Sequence, residues 1–517
     1  MFDSKLLFVF IILSHSVISY NILGIFQFPY RSHFLVFEPL LRTLAERGHN
    51  VTVISNFKLM NPPKNYYEIS VKGSVQISED FAEVERLDDF ESSKEHGIST
   101  ILHHYKQSVQ NCEGFLKWPS VRRLYFVKEE FDLILSEQFF EDCNLGFLYK
   151  FNCSYIALTS QMMLPWQFSR MNAIDNPAYI PGPLSRFSTK MSFVQRLENT
   201  VTNLLHKFLH NAVTQMSEQR ILMKYFGSET SAIKELAKKT SILLVNSYFP
   251  LTGVFPRGAN EVGGLYLKNN KILPDDLQQY IEESPHGVIY FSFGSMIKAS
   301  SLSDQKLKAF QDAFASLPQR VLWKWENDTM PGKPNNVEIR KWLPQFDILN
   351  HPNVKVFITH AGMLSTTEAV HCGVPILCIP LYGDQFANAA AADESGLGTV
   401  LTFRDITKES VLTALRKLLD DKTQKAAKKL SLVWKDRPLP PLDTAVYWVE
   451  HVARHGGDHL RPASADLPLY RYLLLDVISF LFIVFFILAF VYYKFLVCLI
   501  FCQMVRLFPH CNKIQIN

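Results

Sequence analysis

The chain has 517 residues, of which 48% are hydrophobic, and a formal charge of +4. Charge so nearly balanced offers no electrostatic footprint for nucleic acid, and no run of basic residues interleaved with aromatics supplies one. With both ends set aside about 450 residues remain, too many for one core and suited to two domains. No internal repeat is evident beyond two halves that each alternate strand and helix patterns, which points to the α/β class.

Residues 1–19 carry Lys5, an apolar run from Leu6 to Leu13 and the compact residues Val17 and Ser19 before Tyr20, the pattern of a cleavable secretory signal. The first α/β domain is expected over residues 20–245. Within it Tyr20 to Gln27 reads as an apolar strand and Pro29 to His33 as a turn. A helix is predicted from Phe34 to Arg47, with Phe34, Phe37, Leu40, Leu41 and Leu44 on one face and a stop at Gly48. His33 then stands at a helix start after a strand. The positive end of the helix disfavours imidazolium there and biases the ring towards the neutral form a general base needs. Another apolar strand, beginning at Phe131, leads into Glu137 and Asp142, each of which taken alone reads as an exposed loop acid. A helical, proline-punctuated region follows between Pro165 and Phe226. Residues 246–285, rich in Gly and Pro, read as a linker.

The second α/β domain is expected over residues 286–430. Its first strand, Val288 to Phe293, runs into Gly294-Ser295. The stretch from Trp342 to Gln385 is the most informative in the chain: a buried strand (Val354 to Thr359), a turn at Gly362, a helix opening near Ser365, and a second apolar run, Val374 to Pro380, that ends at Asp384-Gln385. In an open parallel sheet ligands bind outside the carboxyl ends of the strands, and a helix N-terminus there offers unpaired N–H donors, which suits a diphosphate. Simpler readings exist for single residues. Ser365 and Glu368 have the spacing of a capping box, and a lone Trp such as Trp342 is more often core than platform.

Residues 431–472 read as a helical segment returning towards the membrane, 473–493 as a transmembrane helix and 494–517 as a tail. Val477 to Tyr493 carries no charge, and Lys494, Arg506 and Lys513 follow it with no acid among them, so the tail is expected to be cytosolic and the bulk of the chain lumenal. Phe495 to Val505 is apolar too, so the span could slide towards the C-terminus or that segment lie among the headgroups. Of eight cysteines, five (Cys112, Cys143, Cys153, Cys372 and Cys378) would be lumenal, where disulfides are permitted. Sequons begin at Asn50, Asn152 and Asn327.

The offsets Phe357, Thr359-His360-x-Gly362, Ser365, Glu368, Pro375, Pro380 and Asp384-Gln385 closely resemble the signature of UDP-sugar-dependent glycosyltransferases. The likeness covers nearly the whole chain and is greatest to the insect branch of membrane-bound members. It implies two Rossmann-like domains facing a cleft, the GT-B type, with donor in the second domain and acceptor in the first. It further implies that Trp342 stacks on uracil, that Gln345 bonds near the base or ribose, and that Glu368 accepts from the ribose hydroxyls. His360, Ser365, Ser295 and the N–H groups near Gly362 would hold the diphosphate, and Asp384 and Gln385 the sugar. His33, within Gly24-x-Phe-x-Phe-x-Tyr-x-Ser-His33, would deprotonate the acceptor, with the imidazolium stabilised by Glu137 or, in its place, Asp142; Glu137 is preferred.

The reaction so implied is inverting transfer of a hexose, glucose first, from a UDP-sugar to a hydroxyl of a small lipophilic acceptor whose pocket the Pro165 to Phe226 region shapes. Residence in the endoplasmic reticulum membrane, with lumenal catalytic domains, is implied with it. No cofactor or metal is expected: the UDP-sugar is a co-substrate, and no Asp-x-Asp element occurs. Leu364 and Lys324 depart from relatives that carry Asn and Arg there. Two other readings stand beside this one, UDP-glucuronic acid as donor and an inactive UDP-sugar-binding membrane protein; self-association into a homo-oligomer is left open.

Overall fold

The computed structural model describes residues 19–75, 87, 98–171, 173, 175–252, 259–268, 272–461 and 467–507. Residues 1–18 of the signal-type segment and residues 508–517 of the tail lie outside the described residues. Those as far as Arg461 form one compact unit, and a second begins at Pro462.

The first unit holds two wholly parallel sheets. The larger has the order β3-β2-β1-β4-β5-β6-β7, built from β1 (Asn21–Phe26), β2 (Asn50–Ser55), β3 (Tyr66–Ser70), β4 (Leu133–Glu137), β5 (Ser154–Thr159), β6 (Thr240–Val245) and β7 (Ala259–Glu261). The smaller has the order β10-β9-β8-β11-β12-β13, built from β8 (Val288–Ser292), β9 (Arg320–Lys324), β10 (Val337–Arg340), β11 (Val354–Thr359), β12 (Ile376–Cys378) and β13 (Gly398–Val400). Successive side chains of a strand point to opposite faces. Accordingly Leu23 and Ile25 of β1 enter one core while Ile22 and Phe26 enter another, and in β8 Ile289 and Phe291 part from Val288 and Tyr290 in the same way. Every residue of β4 and of β8 is buried, as a parallel sheet covered by helices on both faces requires.

The strand orders place the sites. In each sheet the order reverses once: next to β1, where β4 joins on the side away from β2, and next to β8, where β11 joins on the side away from β9. The crevice outside the carboxyl ends of such a strand pair is where doubly wound sheets bind ligands. The residues that follow β1, β4, β8 and β11 therefore matter most.

Three local outcomes differ from expectation. The first helix spans Arg31–Glu46, so it opens before Phe34 and includes His33 in its first turn. The helix after β11 spans Met363–Cys372, with Gly362 as its N-cap, and so opens before Ser365. Residues 246–285, read as a linker, contain β7 and the helix Asp275–Glu282. The helix Pro441–His455 returns to the first sheet, where Ala445, Val446, Val449 and Val452 join its core and Arg47 Nε donates to Glu450 Oε1 at 2.6 Å. Cys112 and Cys143 are disulfide-bonded, Cα to Cα 5.5 Å, tying the helix Ile98–Leu116 to the loop after β4. Closing a loop of that size contributes about 2–4 kcal/mol.

In the second unit Leu475–Leu507 is one continuous helix that runs through Lys494, rather than ending before it. Its segment Leu475–Met504, with mean hydropathy 2.6, is long and apolar enough to cross a membrane.

Candidate functional site

The first half of the site lies at the ends of β1 and β4. Glu137 is the last residue of β4 and is 2% exposed; its Oε1 lies 2.8 Å from His33 Nδ1. Ser160, just beyond β5, places Oγ 3.0 Å from the same nitrogen. With Glu137 accepting from Nδ1–H, the ring's other nitrogen, Nε2, is the one able to take a proton from a ligand. Among the described residues Nε2 has no hydrogen-bond partner. Phe28, Tyr30 and Phe139 surround the imidazole at centroid distances of 6.3, 5.4 and 5.0 Å. Burial opposes charge on this ring, but Glu137 beside it and Asp384 from the second half outweigh burial and raise the His33 pKa above its ordinary value. The helix start alone argued the opposite direction.

Asp142, the alternative partner, is engaged elsewhere. It is fully buried, its Oδ2 pairs with Arg170, lies 3.0 Å from His210 Nε2 and accepts from Gln215 Nε2 at 3.0 Å. Burial alone would raise its pKa; Arg170 and His210 hold it well below the usual carboxylate range. Next to it Glu141 is buried too, and burial, Asp142 and Glu137 push its pKa well up.

The second half lies at the ends of β8 and β11. Gly294 has φ +82°, and a Cβ there would meet His360 Cε1 at 2.6 Å, while a Cβ on Gly362 would meet His360 Nε2 at 2.5 Å. Two glycines thus make room for one imidazole. Ala361, between His360 and Gly362 in the chain, adopts φ +63°, a left-handed conformation uncommon for a residue with a side chain. Thr359 Oγ1 accepts from its N–H at 3.2 Å and Asn388 Nδ2 donates to its carbonyl at 3.1 Å, which fixes the turn into the helix Met363–Cys372. No side chain caps that helix, so first-turn N–H groups remain for a ligand. Burial, with Lys324 nearby, lowers the His360 pKa to about 4; at neutral pH the ring offers a hydrogen bond rather than a charge. Ser295 is exposed at the rim.

Glu368 does not fold back on Ser365 as a capping box would require. Gln345 Nε2 instead donates to Glu368 Oε2 at 2.7 Å and to Ser365 Oγ at 3.1 Å, while Tyr290 Oη donates to Gln345 Oε1 at 3.3 Å. Burial pushes the Glu368 pKa up to about 7, against the pull of the Gln345 bond. Trp342 is 74% exposed, which removes the reading of it as core. Asp384 accepts from Asn388 Nδ2 at 2.9 Å, and burial raises its pKa although Asn388 and His33 both favour its charge. Gln385 Oε1 accepts from the N–H groups of Leu381 and Tyr382 at 2.9 and 3.1 Å, so its carbonyl end is spent on holding the loop that carries Asp384.

The two halves meet. Met162, Met363 and Ala387 form a small apolar cluster between them, Tyr266 Oη donates to the Leu364 carbonyl at 2.9 Å, and Thr189 Oγ1 donates to Glu394 at 2.6 Å. Beside His33 a pocket is walled by Phe28, Tyr30, Phe139 and Phe140, with Gln107 and Asn111 of the helix Ile98–Leu116 opposite. The Pro165 to Phe226 region does not line that pocket. It stands behind it, where Trp166 and Leu209 pack with Phe140. Sequence reasoning missed Ser160, which the strand-end rule could have found, and the pocket helix, for which it had no signal.

Residues 26–507 match the profile of the family described as UDP-glucoronosyl and UDP-glucosyl transferase. The chain is 41% identical over 483 residues to the UDP-glycosyltransferase UGT5 of Dactylopius coccus, covering 92% of this chain and 91% of that protein. It is 33% identical over 488 residues to human UDP-glucuronosyltransferase 1A6, covering 90% and 88%. The solved structure of the calicheamicin glycosyltransferase CalG4 shares the fold, with a TM-score of 0.57 at 17% identity over 84% of this chain and 99% of that one. Two parallel Rossmann-like sheets in the GT-B arrangement, with that signature beginning where the strand order of the second reverses, agree with the match, and the chain belongs to the UDP-glycosyltransferase family.

Proposed function

We propose that this UDP-glycosyltransferase moves a hexose, glucose first, from a UDP-sugar to a hydroxyl of a small lipophilic acceptor, with inversion at the anomeric carbon. The observation that carries this reading is the His33–Glu137 pair, with Asp384 close enough from the other half to raise the His33 pKa. In the reaction His33 Nε2 takes the acceptor proton, the oxygen forms its bond to the anomeric carbon, and the bond to the diphosphate breaks on the opposite face with its electron pair leaving on UDP. Glu137 stabilises the imidazolium, and Ser160 holds the ring on the same side. Charge gathering on the diphosphate meets the uncapped N–H groups at Met363 to Ser365 and the neutral N–H of His360, with Ser295 at the rim. Glu368, steered by Gln345, takes the ribose hydroxyls, Trp342 stacks on uracil, and Asp384 with Gln385 holds the sugar. Glucose is placed first because UDP-glucosyltransferase 2 of Dactylopius coccus is 40% identical to this chain over 478 residues.

The helix Leu475–Leu507 anchors the protein as a single-pass membrane protein with the sugar-transfer unit in the lumen of the endoplasmic reticulum. The Cys112–Cys143 disulfide and the exposed sequon residues Asn152 and Asn327 support a compartment that oxidises and glycosylates. UDP release by the full-length protein in vesicles, measured for several UDP-sugars against a panel of phenols, tests the activity. Turnover with UDP-glucose is expected; turnover with UDP-glucuronic acid alone would reassign the donor, and none with any sugar would leave a binding protein.

Trp342→Ala separates platform from scaffold. It is expected to weaken UDP binding by about 1–3 kcal/mol, the worth of one base–aromatic stack, and to leave the melting temperature nearly unchanged because the indole is 74% exposed. An early-melting variant that binds UDP normally would remove the stacking role.

A further inference from the structure

Three histidines converge where the helix Pro441–His455 ends. His451 and His455 stand one turn apart and so share a face of it. Gly456, with φ +73°, ends the helix in a left-handed turn, and the chain comes back through Gly457 and Asp458 to His459. His459 Nε2 thereby stands 2.8 Å from His451 Nε2, with the ring centroids 5.1 Å apart. The His455 ring lies 5.0 Å from that of His451 on another side. Tyr447 and Trp448 flank His451 at 5.7 and 5.5 Å, which limits how its imidazole can turn. A hydrogen bond between two neutral rings accounts for the 2.8 Å contact but leaves the third ring out. Among the described residues His455 makes no hydrogen bond.

We propose that His451, His455 and His459 form a binding site for a zinc ion. Imidazole nitrogen suits zinc, copper and nickel, whereas magnesium and calcium take oxygen. Zinc is the ion of that set that accepts three imidazoles and a fourth ligand in a tetrahedron with no redox change. Two nitrogens on one tetrahedral zinc stand roughly 3.3 Å apart, given Zn–N bonds of about 2.0 Å, so the His451–His459 pair has to open by only about half an ångström. His455 and His459 are exposed and free to turn by that much. The carbonyl end of the helix favours a cation here, and exposed Asp458 offers a carboxylate oxygen beside His459 for the fourth position. The ion would cross-link the last turn of the helix to the segment Asp458–Leu460, the final element before the first unit ends at Arg461. None of these residues belongs to the sugar-transfer site, so the ion's role is to hold the chain and not to take part in the reaction.

The test uses full-length protein in detergent, stripped with EDTA and titrated with zinc chloride against a chromogenic chelator of known affinity. One equivalent is expected to bind more tightly than the rest. Each of His451→Gln, His455→Gln and His459→Gln should weaken it by at least about tenfold, the least that even a supporting partner of a zinc ligand is worth. Zinc-edge X-ray absorption of the one-to-one complex should show nitrogen neighbours at about 2.0 Å. In the absence of metal the three variants should melt as the native chain does, since two of the positions are exposed and the third half-buried, and this keeps loss of binding apart from loss of fold. An unchanged titration in the double variant His451→Gln with His459→Gln overturns the site, and an unchanged titration in His455→Gln overturns the set of three. Sulfur neighbours at about 2.3 Å would assign the ion to cysteine instead. A native chain with no equivalent tighter than the rest would show adventitious zinc only, and that too overturns the inference.

Discussion

His33→Ala is expected to lower kcat by about 10²- to 10⁴-fold, the share that a positioned general base contributes, while UDP titrates the variant as it does the native protein. The separation follows from the fold. His33 follows β1 of the first sheet, whereas the residues assigned to uracil, ribose and diphosphate follow β8, β10 and β11 of the second. Loss of UDP affinity in step with turnover would show that the residue supports the donor half instead. Near-normal turnover would assign the base elsewhere. The native pH profile carries a further signature. A base must be neutral to act, and Glu137 and Asp384 favour the cation, so the acid limb is expected above the ordinary histidine value of 6.5.

The second large effect comes from a pair of isosteric changes with opposite readouts. Glu137→Gln removes the carboxylate that accepts from His33 Nδ1, and kcat is expected to fall by about 10²- to 10³-fold with little loss of folded protein. Its remaining activity should show the acid limb moved down, because one of the two charges that raise the His33 pKa is gone. Asp142→Asn leaves Arg170 and His210 beside a neutral group in a fully buried site. Breaking a buried pair in that way costs about 3–5 kcal/mol. Yield and melting temperature should therefore drop, while each folded molecule turns over almost normally. Were Asp142→Asn the slower enzyme and Glu137→Gln the less stable one, the carboxylate assignment would be reversed.

Strands were the most legible part of the chain. Val354 to Thr359 is β11 residue for residue, and Val288 to Phe293 overruns β8 by a single position, because buried parallel strands read as unbroken apolar runs. Helix starts were less so. Arg31, Ser32 and His33 are polar and carry no periodicity, so the helix was expected to begin at Phe34, the first residue that packs. β7 went unseen because its three residues, Ala259–Glu261, are short, half-buried and set among glycines. At the site, residue identity was legible and interaction was not. The tie of Gln345 to both Ser365 and Glu368 replaces a local cap by a contact across 23 residues. The direction of the His33 pKa depends on carboxylates 104 and 351 positions away in the sequence, which no rule about helix starts contains. Exposure of Trp342 is likewise a property of the folded loop.

The bond between Cys112 and Cys143 has a practical side. Gln107 and Asn111, on one face of the helix Ile98–Leu116, stand within one turn or two of Cys112, and Cys143 follows the loop that bears Phe139 and Phe140. One covalent staple thus sets the spacing between two opposing walls of the pocket. Protein produced where thiols stay reduced lacks the staple, and two preparations of identical sequence then differ in what holds those walls at their spacing.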